Sequence, residues 1–295
     1  MDIWHRLGRV FRASNIGVLI FFLLNLSLIM LLFFPYGVTL EQGTLLSCCY
    51  LATVLLSFSP LGEWVLATLA GAKEIKRKDF KLKLIPLLEI TFQQAKCKTP
   101  DMVDSIHLKI IPDPNPNAFA IGRKTICVTE GLLNLSDQEI MSVFAHELGH
   151  LAYRHSELQL LIGGGNLFIT SFLMFVKIIC WMITGTFTAV ALGSRNIGRG
   201  ILLTFIGSLS TILIWLWTKF CLLFLRWSMR QNEYIADEYA LSLGYGDVLA
   251  GVIDCYFRTY PKSGLLKALY STHPDSDNRI ARLQDLGASY GRYWP

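Results

Sequence analysis

The sequence predicts an α+β protein anchored in a membrane by about four transmembrane helices, and three observations lead there. The first is composition: of 295 residues, 53% are hydrophobic and only 17% charged, against about 25% charged in a typical soluble domain. The second is a set of four apolar stretches, each long enough for the roughly 20 helical residues that a bilayer core demands. The third is a polar segment between the second and third stretches, whose pattern mixes strands and helices.

The first apolar stretch runs from Asn15 to Phe34 without a charge and stops at Pro35. Arg6, Arg9 and Arg12 precede it, in a short N-terminal segment over 1–14. Its length exceeds that of a signal-peptide core and no small-x-small cleavage site follows, so it reads as a retained anchor. The second stretch, Thr44 to Ala70, is interrupted only by Pro60 and Glu63, and completes a first hairpin over 15–71. A second hairpin over 159–226 combines a stretch within Leu160–Leu192, which contains Lys177, with one from Ile201 to Leu225, which contains Lys219.

Positive charge sets the orientation. The arginines before the first span, and Lys73, Lys76, Arg77, Lys78, Lys81 and Lys83 after the second, place both ends of the first hairpin and the polar segment in the cytoplasm. Arg195 and Arg199 disagree, since they fall in a connection that should lie outside. Either they are outvoted, or the second hairpin is only partly inserted. The net charge of +5 thus reads as topology and not as nucleic-acid binding. Seven cysteines without ligand spacing read as free thiols in a reducing compartment.

Within the polar segment (72–158), Pro86–Ala95 is expected to be helical with the proline in its first turn. Ser105–Ile111 reads as a strand, and Ala118–Ile121 with Thr125–Val128 as a hairpin around Gly122-Arg123-Lys124. Ser136-Asp137-Gln138-Glu139 is a capping-box signature that opens a helix with Ile140, Val143, Phe144, Leu148 and Leu151 at helical spacing. After the fourth span, the segment 227–295 continues as a helix through Glu233 to about Leu243 and ends at Gly244-Tyr245-Gly246.

The capped helix carries His146-Glu147-Leu148-Gly149-His150. Residues four apart share a helix face, so both imidazoles can address one zinc ion. Glu147 lies where it can take a proton from a water that zinc has acidified toward a pKa of about 7, as that water attacks a carbonyl. Two surface histidines matching a short pattern are the bland alternative. A third ligand is normally required. His155 is one residue too early for the metzincin spacing, and reads instead as an exposed residue at a helix end. Glu233 in Glu233-Tyr234-Ile235-Ala236-Asp237 is the better candidate, because two spans separate it from His150 and an even number returns the chain to the same side. Asp237, one turn on, could accept a hydrogen bond from a ligand histidine and fix its tautomer. The alternative is an ordinary acidic turn where a helix leaves the bilayer. His5 and His107 match no ligand spacing.

With these residues in place the chain resembles the HtpX-type membrane metalloproteases, relatives of the CAAX prenyl proteases. The resemblance extends over nearly the whole chain. It also rests on Asn117-Ala118-Phe119-Ala120-Ile121-Gly122, Thr129-Glu130-Gly131-Leu132-Leu133, Arg230 to Asp237, and Thr272-His273-Pro274 with Arg279. In one departure, Ser228-Met229-Arg230 separates a serine and an arginine that are often adjacent in the family.

The resemblance implies a gluzincin-like domain with one Zn2+ per chain, held by His146, His150 and Glu233, with Glu147 as catalytic base and Asp237 supporting the ligands. Asn117 would bind substrate backbone along a sheet edge, and His273 and Arg279 would approach the substrate carbonyl or the catalytic carboxylates. Simpler roles stand beside these: a turn residue after Pro116, a helix cap before Pro274, and a surface salt bridge. The implied activity is cleavage of misfolded or damaged membrane proteins by an integral protein of the bacterial inner membrane, its active site facing the cytoplasm. Its partners would be unfolded or membrane protein substrates and the lipid bilayer, with no nucleic acid; no feature sets an oligomeric state. A CAAX-type prenyl protease and a catalytically silent scaffold or chaperone are the rival readings.

Overall fold

A computed structural model describes residues 15–33, 37, 39–57, 59–193, 197–257 and 276–291. The chain divides into two compact units, one drawn from Leu55–Leu161 and the described residues from Arg226 onward, the other from Gly17–Val54 and Ile162–Leu225.

The first unit holds the sheet. Its strands β1 (Lys73–Glu74), β2 (His107–Ile111), β3 (Ala118–Ile121) and β4 (Thr125–Thr129) lie in the order β1-β2-β4-β3. β2 and β4 are parallel, with His107 opposite Thr125, while β3 returns antiparallel to β4, with Ala118 opposite Val128. The central strand β4 is buried at every position, which suits the β-branched Thr125, Ile126, Val128 and Thr129 in its sequence. The turn between β3 and β4 needs Gly122 at φ +61°, and a β-carbon there would run into the Glu63 carboxylate.

Against this sheet pack the helices α4 (Lys78–Lys98) and α5 (Asp137–Ala152). Phe80, Leu84, Leu88, Thr91, Phe92 and Ala95 of α4 are buried at helical spacing, and all but Thr91 share one core with Ile126, Val128, Phe144 and Leu148. Each Leu or Phe side chain among them, fully buried, contributes about 1.5–3 kcal/mol. The start of α5 is the expected capping box, with Ser136 and Glu139 each satisfying the other's backbone N–H. The strand expected from Ser105 begins at His107. The helix expected from Pro86 begins instead at Lys78, with Pro86 in its interior. Pro86 is exposed there, and the buried row on the other face holds the helix despite one lost backbone bond.

The second expected apolar span is two helices, α2 (Leu40–Ser57) and α3 (Pro60–Leu69). Ser59 caps α3 by accepting from the Gly62 N–H, and Pro60 sits in its first turn; a proline is favoured at that position and ill suited to continuing the preceding helix. The break frees Glu63 for a structural task, because Thr125 Oγ1 donates to its Oε1 at 2.5 Å.

The second unit is helical and apolar on its outside. It contains most of α1 (Ile16–Phe33), most of α2, and the greater parts of α6 (His155–Gly193) and α7 (Ile197–Ser242). Two helices among the described residues are long and apolar enough to cross a membrane, over Leu173–Val190 and Gly200–Ser242, and Ile16–Leu31 is a shorter apolar helix. Trp181, Phe187, Phe205, Leu213 and Trp215 are exposed, a display that soluble monomers avoid in contiguous patches. In the first unit, α7 is followed by α8 (Gly246–Cys255) and, later, α9 (Ser276–Asp285). All seven cysteines are free thiols.

Candidate metal centre

The cap on α5 fixes where its turns fall, and so places His146 and His150 on one face, both buried. Their Nε2 atoms are 3.2 Å apart. From the last part of α7, Glu233 brings Oε2 to 3.5 Å from His146 Nε2 and Oε1 to 3.2 Å from His150 Nε2. The three donors lie within 4.8 Å of one another. Two neutral imidazoles and a carboxylate are a zinc-type donor set. The helices approach closely because Gly149 lies between the two histidines: a β-carbon there would sit 3.1 Å from Ala236 Cα.

Each histidine is also held from behind. Asp237 Oδ1 lies 2.9 Å from His146 Nδ1. Arg279 of α9 grips Asp237 with two donors, Nε to Oδ2 at 2.7 Å and a terminal nitrogen to Oδ1 at 2.5 Å, and another terminal nitrogen lies 3.5 Å from Glu233 Oε2. Arg279 is 3% exposed, which removes the surface-salt-bridge reading. His150 Nδ1 faces His155 Nδ1 at 3.2 Å. His155 is 2% exposed, so the exposed helix-end residue expected from the sequence is instead a buried neighbour of His150. No spacing rule registers this role, because His155 follows a left-handed residue, Arg154 at φ +62°, that interrupts the helix.

Electrostatics favours positive charge between these groups. Burial opposes a charged His146, but hydrogen bonds to Asp237 and Glu233 outweigh it and lift its pKa to about 10. Burial likewise pushes Asp237 up, and the charge and hydrogen bonds of Arg279 more than reverse this, holding it below the usual carboxylate range. Glu147, Glu233 and Asp237 are buried together with the Arg279 guanidinium, so among the described residues of this cluster carboxylates outnumber arginine side chains.

Glu147 points toward the sheet, where the Ala120 N–H of β3 donates to its Oε2 at 2.7 Å. β3 is one of the two edge strands of the sheet. Asn117 stands at the head of that strand; its N–H donates to Thr129 Oγ1 at 2.7 Å and its Oδ1 accepts from the Ala118 N–H at 2.9 Å. Asn117, Ala118, Val143, His146, Glu147 and Arg279 line one narrow cleft, with Leu249 and Ile253 as an apolar wall. His273 lies outside the described residues. The structure therefore brings together every other residue singled out as a site candidate, and adds Ala120 and His155.

Comparison with known proteins places the chain in a family. Residues 88–286 match the model of peptidase family M48. A protease HtpX homolog of Desulforapulum autotrophicum is 32% identical over 203 residues, 59% of this chain and 61% of that one. Another, from Neisseria meningitidis, is 28% identical over 300 residues, 94% of this chain and 98% of that one. The chain spans less than two thirds of the D. autotrophicum relative and, at 64%, of one from Caldanaerobacter subterraneus. The crystal structure of S. mikatae Ste24p is similar with a TM-score of 0.45 and 17% identity, over 96% of this chain and 65% of that chain. The family match embraces both the α5 histidines and the α7 carboxylates, and on it the chain belongs to peptidase family M48.

Proposed function

We propose that this chain is a zinc-dependent endopeptidase embedded in a membrane, with His146, His150 and Glu233 as the metal ligands. The observation that carries the proposal is the convergence of these three buried donors within 4.8 Å, with Glu147 beside them. The residues fit a divalent cation in donor type, two imidazoles and a carboxylate, and the three buried carboxylates beside a single guanidinium suit a cation among them. When bound there, zinc would supply Lewis acidity to a water and to the scissile carbonyl.

The remaining work falls to the chain. Glu147 accepts the proton of the attacking water and passes it to the leaving amine. The Ala120 N–H fixes one carboxylate oxygen, which aims the other without a search over rotamers. Asp237 keeps a proton on His146 Nδ1, so that Nε2 presents its lone pair, and Arg279 holds Asp237 ionised. A peptide laid along the outer edge of β3, where the Ala118 and Ala120 N–H groups are already engaged, would pair with the remaining backbone groups and bring a carbonyl to the cleft, with Asn117 at the head of the strand. Arg279 and His273, as catalytic helpers, complete the assignment that the resemblance implies.

The two long apolar helices and the shorter Ile16–Leu31 support insertion in a membrane; about four spans, a site on the cytoplasmic side of a bacterial inner membrane and membrane proteins as substrates rest on the charge pattern and the resemblance. The test is casein cleavage together with metal content, on purified protein. Glu147→Gln should retain about one zinc per chain and lose on the order of 10²–10⁴-fold in rate. Glu233→Ala should lose both. Wild-type activity in Glu147→Gln would sink the mechanism, and full metal content in Glu233→Ala would remove the third ligand. Wild type that binds zinc and cleaves nothing would favour the silent scaffold.

A further inference from the structure

We propose that His155 is the positioning residue for His150, fixing the tautomer in which that ligand meets the metal; the inference rests on the metal site proposed above. The two Nδ1 atoms are 3.2 Å apart and both rings are buried. A contact of that length between ring nitrogens needs one N–H and one lone pair. If His150 is to ligate through Nε2 as a neutral imidazole, its proton sits on Nδ1 and is donated to His155. His155 Nδ1 must then be the acceptor, with its own proton on Nε2. The opposite arrangement protonates His150 Nε2 and closes it to a cation. One hydrogen bond thus couples the tautomers of both rings.

The chain goes to some length to keep His155 there. Arg154 adopts the left-handed region, which is uncommon for a residue with a side chain, and this separates the end of α5 from the start of α6. The first turn of α6 is then fastened to the β3–β4 turn. Ser156 Oγ donates to the Gly122 carbonyl at 2.6 Å, and Glu157 lies 3.5 Å from Arg123 and 3.6 Å from Arg154. Tyr153 stacks on the His155 ring at 5.8 Å between centroids. His146 receives the same service from Asp237, an anion, whereas His150 has a neutral partner. A second carboxylate would have deepened the negative charge already buried; a histidine supplies the acceptor without adding to it.

Leu and Asn have nearly the same shape, but only Asn places an acceptor oxygen where histidine Nδ1 lies, so the pair isolates the hydrogen bond. Zinc affinity of the full chain in detergent is read by competition with a fluorescent chelator. His155→Leu should weaken binding about 10- to 100-fold, the range found for such supporting partners, and His155→Asn should recover most of it. A merely structural histidine would lower the thermal midpoint of the chelator-treated protein equally in both variants and leave no difference in affinity between them. Wild-type affinity in His155→Leu, or equal loss in both variants, overturns the inference. If the variants fail to fold, 15N spectra of the histidine rings in zinc-loaded wild type decide: protonated Nδ1 on His150 and protonated Nε2 on His155 support it, and any other pattern overturns it. Wild type that binds no zinc would instead overturn the metal site, and this inference with it.

Discussion

The helix α7 can be divided near Arg226, and its two parts follow opposite rules. Upstream, Leu202, Phe205, Leu213, Trp215 and Leu223 are exposed; downstream, Asn232, Glu233, Ala236, Asp237 and Ala240 are buried. The backbone is one continuous helix throughout. Apolar groups outside and charged groups inside is the reverse of a soluble helix for each part, and each has a different reason. The upstream part has the surface of a helix solvated by lipid. The downstream part buries carboxylates because other charges compensate them. Secondary structure alone therefore distinguishes neither; what a helix position costs depends on what surrounds it.

The most severe way to break the downstream half is to remove the compensating cation. Arg279→Leu leaves Asp237 and Glu233 buried without their guanidinium, and breaking a buried pair from one side typically costs about 3–5 kcal/mol. We expect a large fall in the thermal midpoint of the chelator-treated protein. Asp237→Asn with Arg279→Leu should recover part of it, since the buried anion is gone as well. A loss below about 1 kcal/mol in Arg279→Leu would mean that water, and not Arg279, compensates Asp237. The pH dependence has a definite sign. Because Arg279 holds the Asp237 pKa below its ordinary value, this pair's contribution is present above the unfolded carboxylate pKa and is lost as pH falls through the folded one.

The upstream half was legible in the sequence in a way that the downstream half was not. Runs without charge declare themselves by composition, and the capping box and the Gly122 turn are local rules that the structure obeys. The His146–His150 pair is likewise local, a matter of four residues on one helix. Glu233 required an argument about topology, and its nearness to His146 Nε2 depends on Gly149, whose role only the packed helices reveal. Arg279, 133 residues from His146, has no signal in the sequence apart from resemblance. The start of α4 escapes the sequence for a different reason: Lys78, Lys81 and Lys83 carry a topology signal that masks the periodic Phe80, Leu84 and Leu88 among them. The two-residue β1 is too short to carry any pattern, and it exists because Lys73 and Glu74 pair with Ile110 and Lys109.

A reciprocal pair of charge insertions sharpens the contrast between the halves. Leu213→Lys places an ammonium on the lipid-facing part, at a cost of about 3 kcal/mol if that position lies near the bilayer centre. The expected readout is a reduced inserted fraction in membrane fractionation, with little change in zinc content of the molecules that do insert. Ala240→Lys buries the same charge in the peptidase unit, where Ala240 is 0% exposed; here insertion should persist and zinc content collapse. Equal effects of the two variants on insertion would contradict the division at Arg226.

The smallest expected effect concerns the approach of the downstream half to α5. A β-carbon on Gly149 would meet Ala236 Cα and Tyr239 Cβ, each at 3.1 Å. These belong to the backbone and to the root of a side chain, so no distant rotamer can move aside; the helices themselves must separate. Gly149→Ala asks for a few tenths of an ångström, and its gain in helix propensity of up to about 1 kcal/mol offsets part of the strain. Gly149→Val adds two methyl groups at the same contact, and overpacking of this kind costs about 1–3 kcal/mol. Glu233 lies one turn before Ala236 on the displaced helix, so the strain should appear in metal binding more than in folding. We expect zinc affinity to fall modestly in Gly149→Ala and further in Gly149→Val, while helix content by circular dichroism is unchanged. If Gly149→Val bound zinc as tightly as wild type, the closeness of the two helices would not be what brings Glu233 to the histidines.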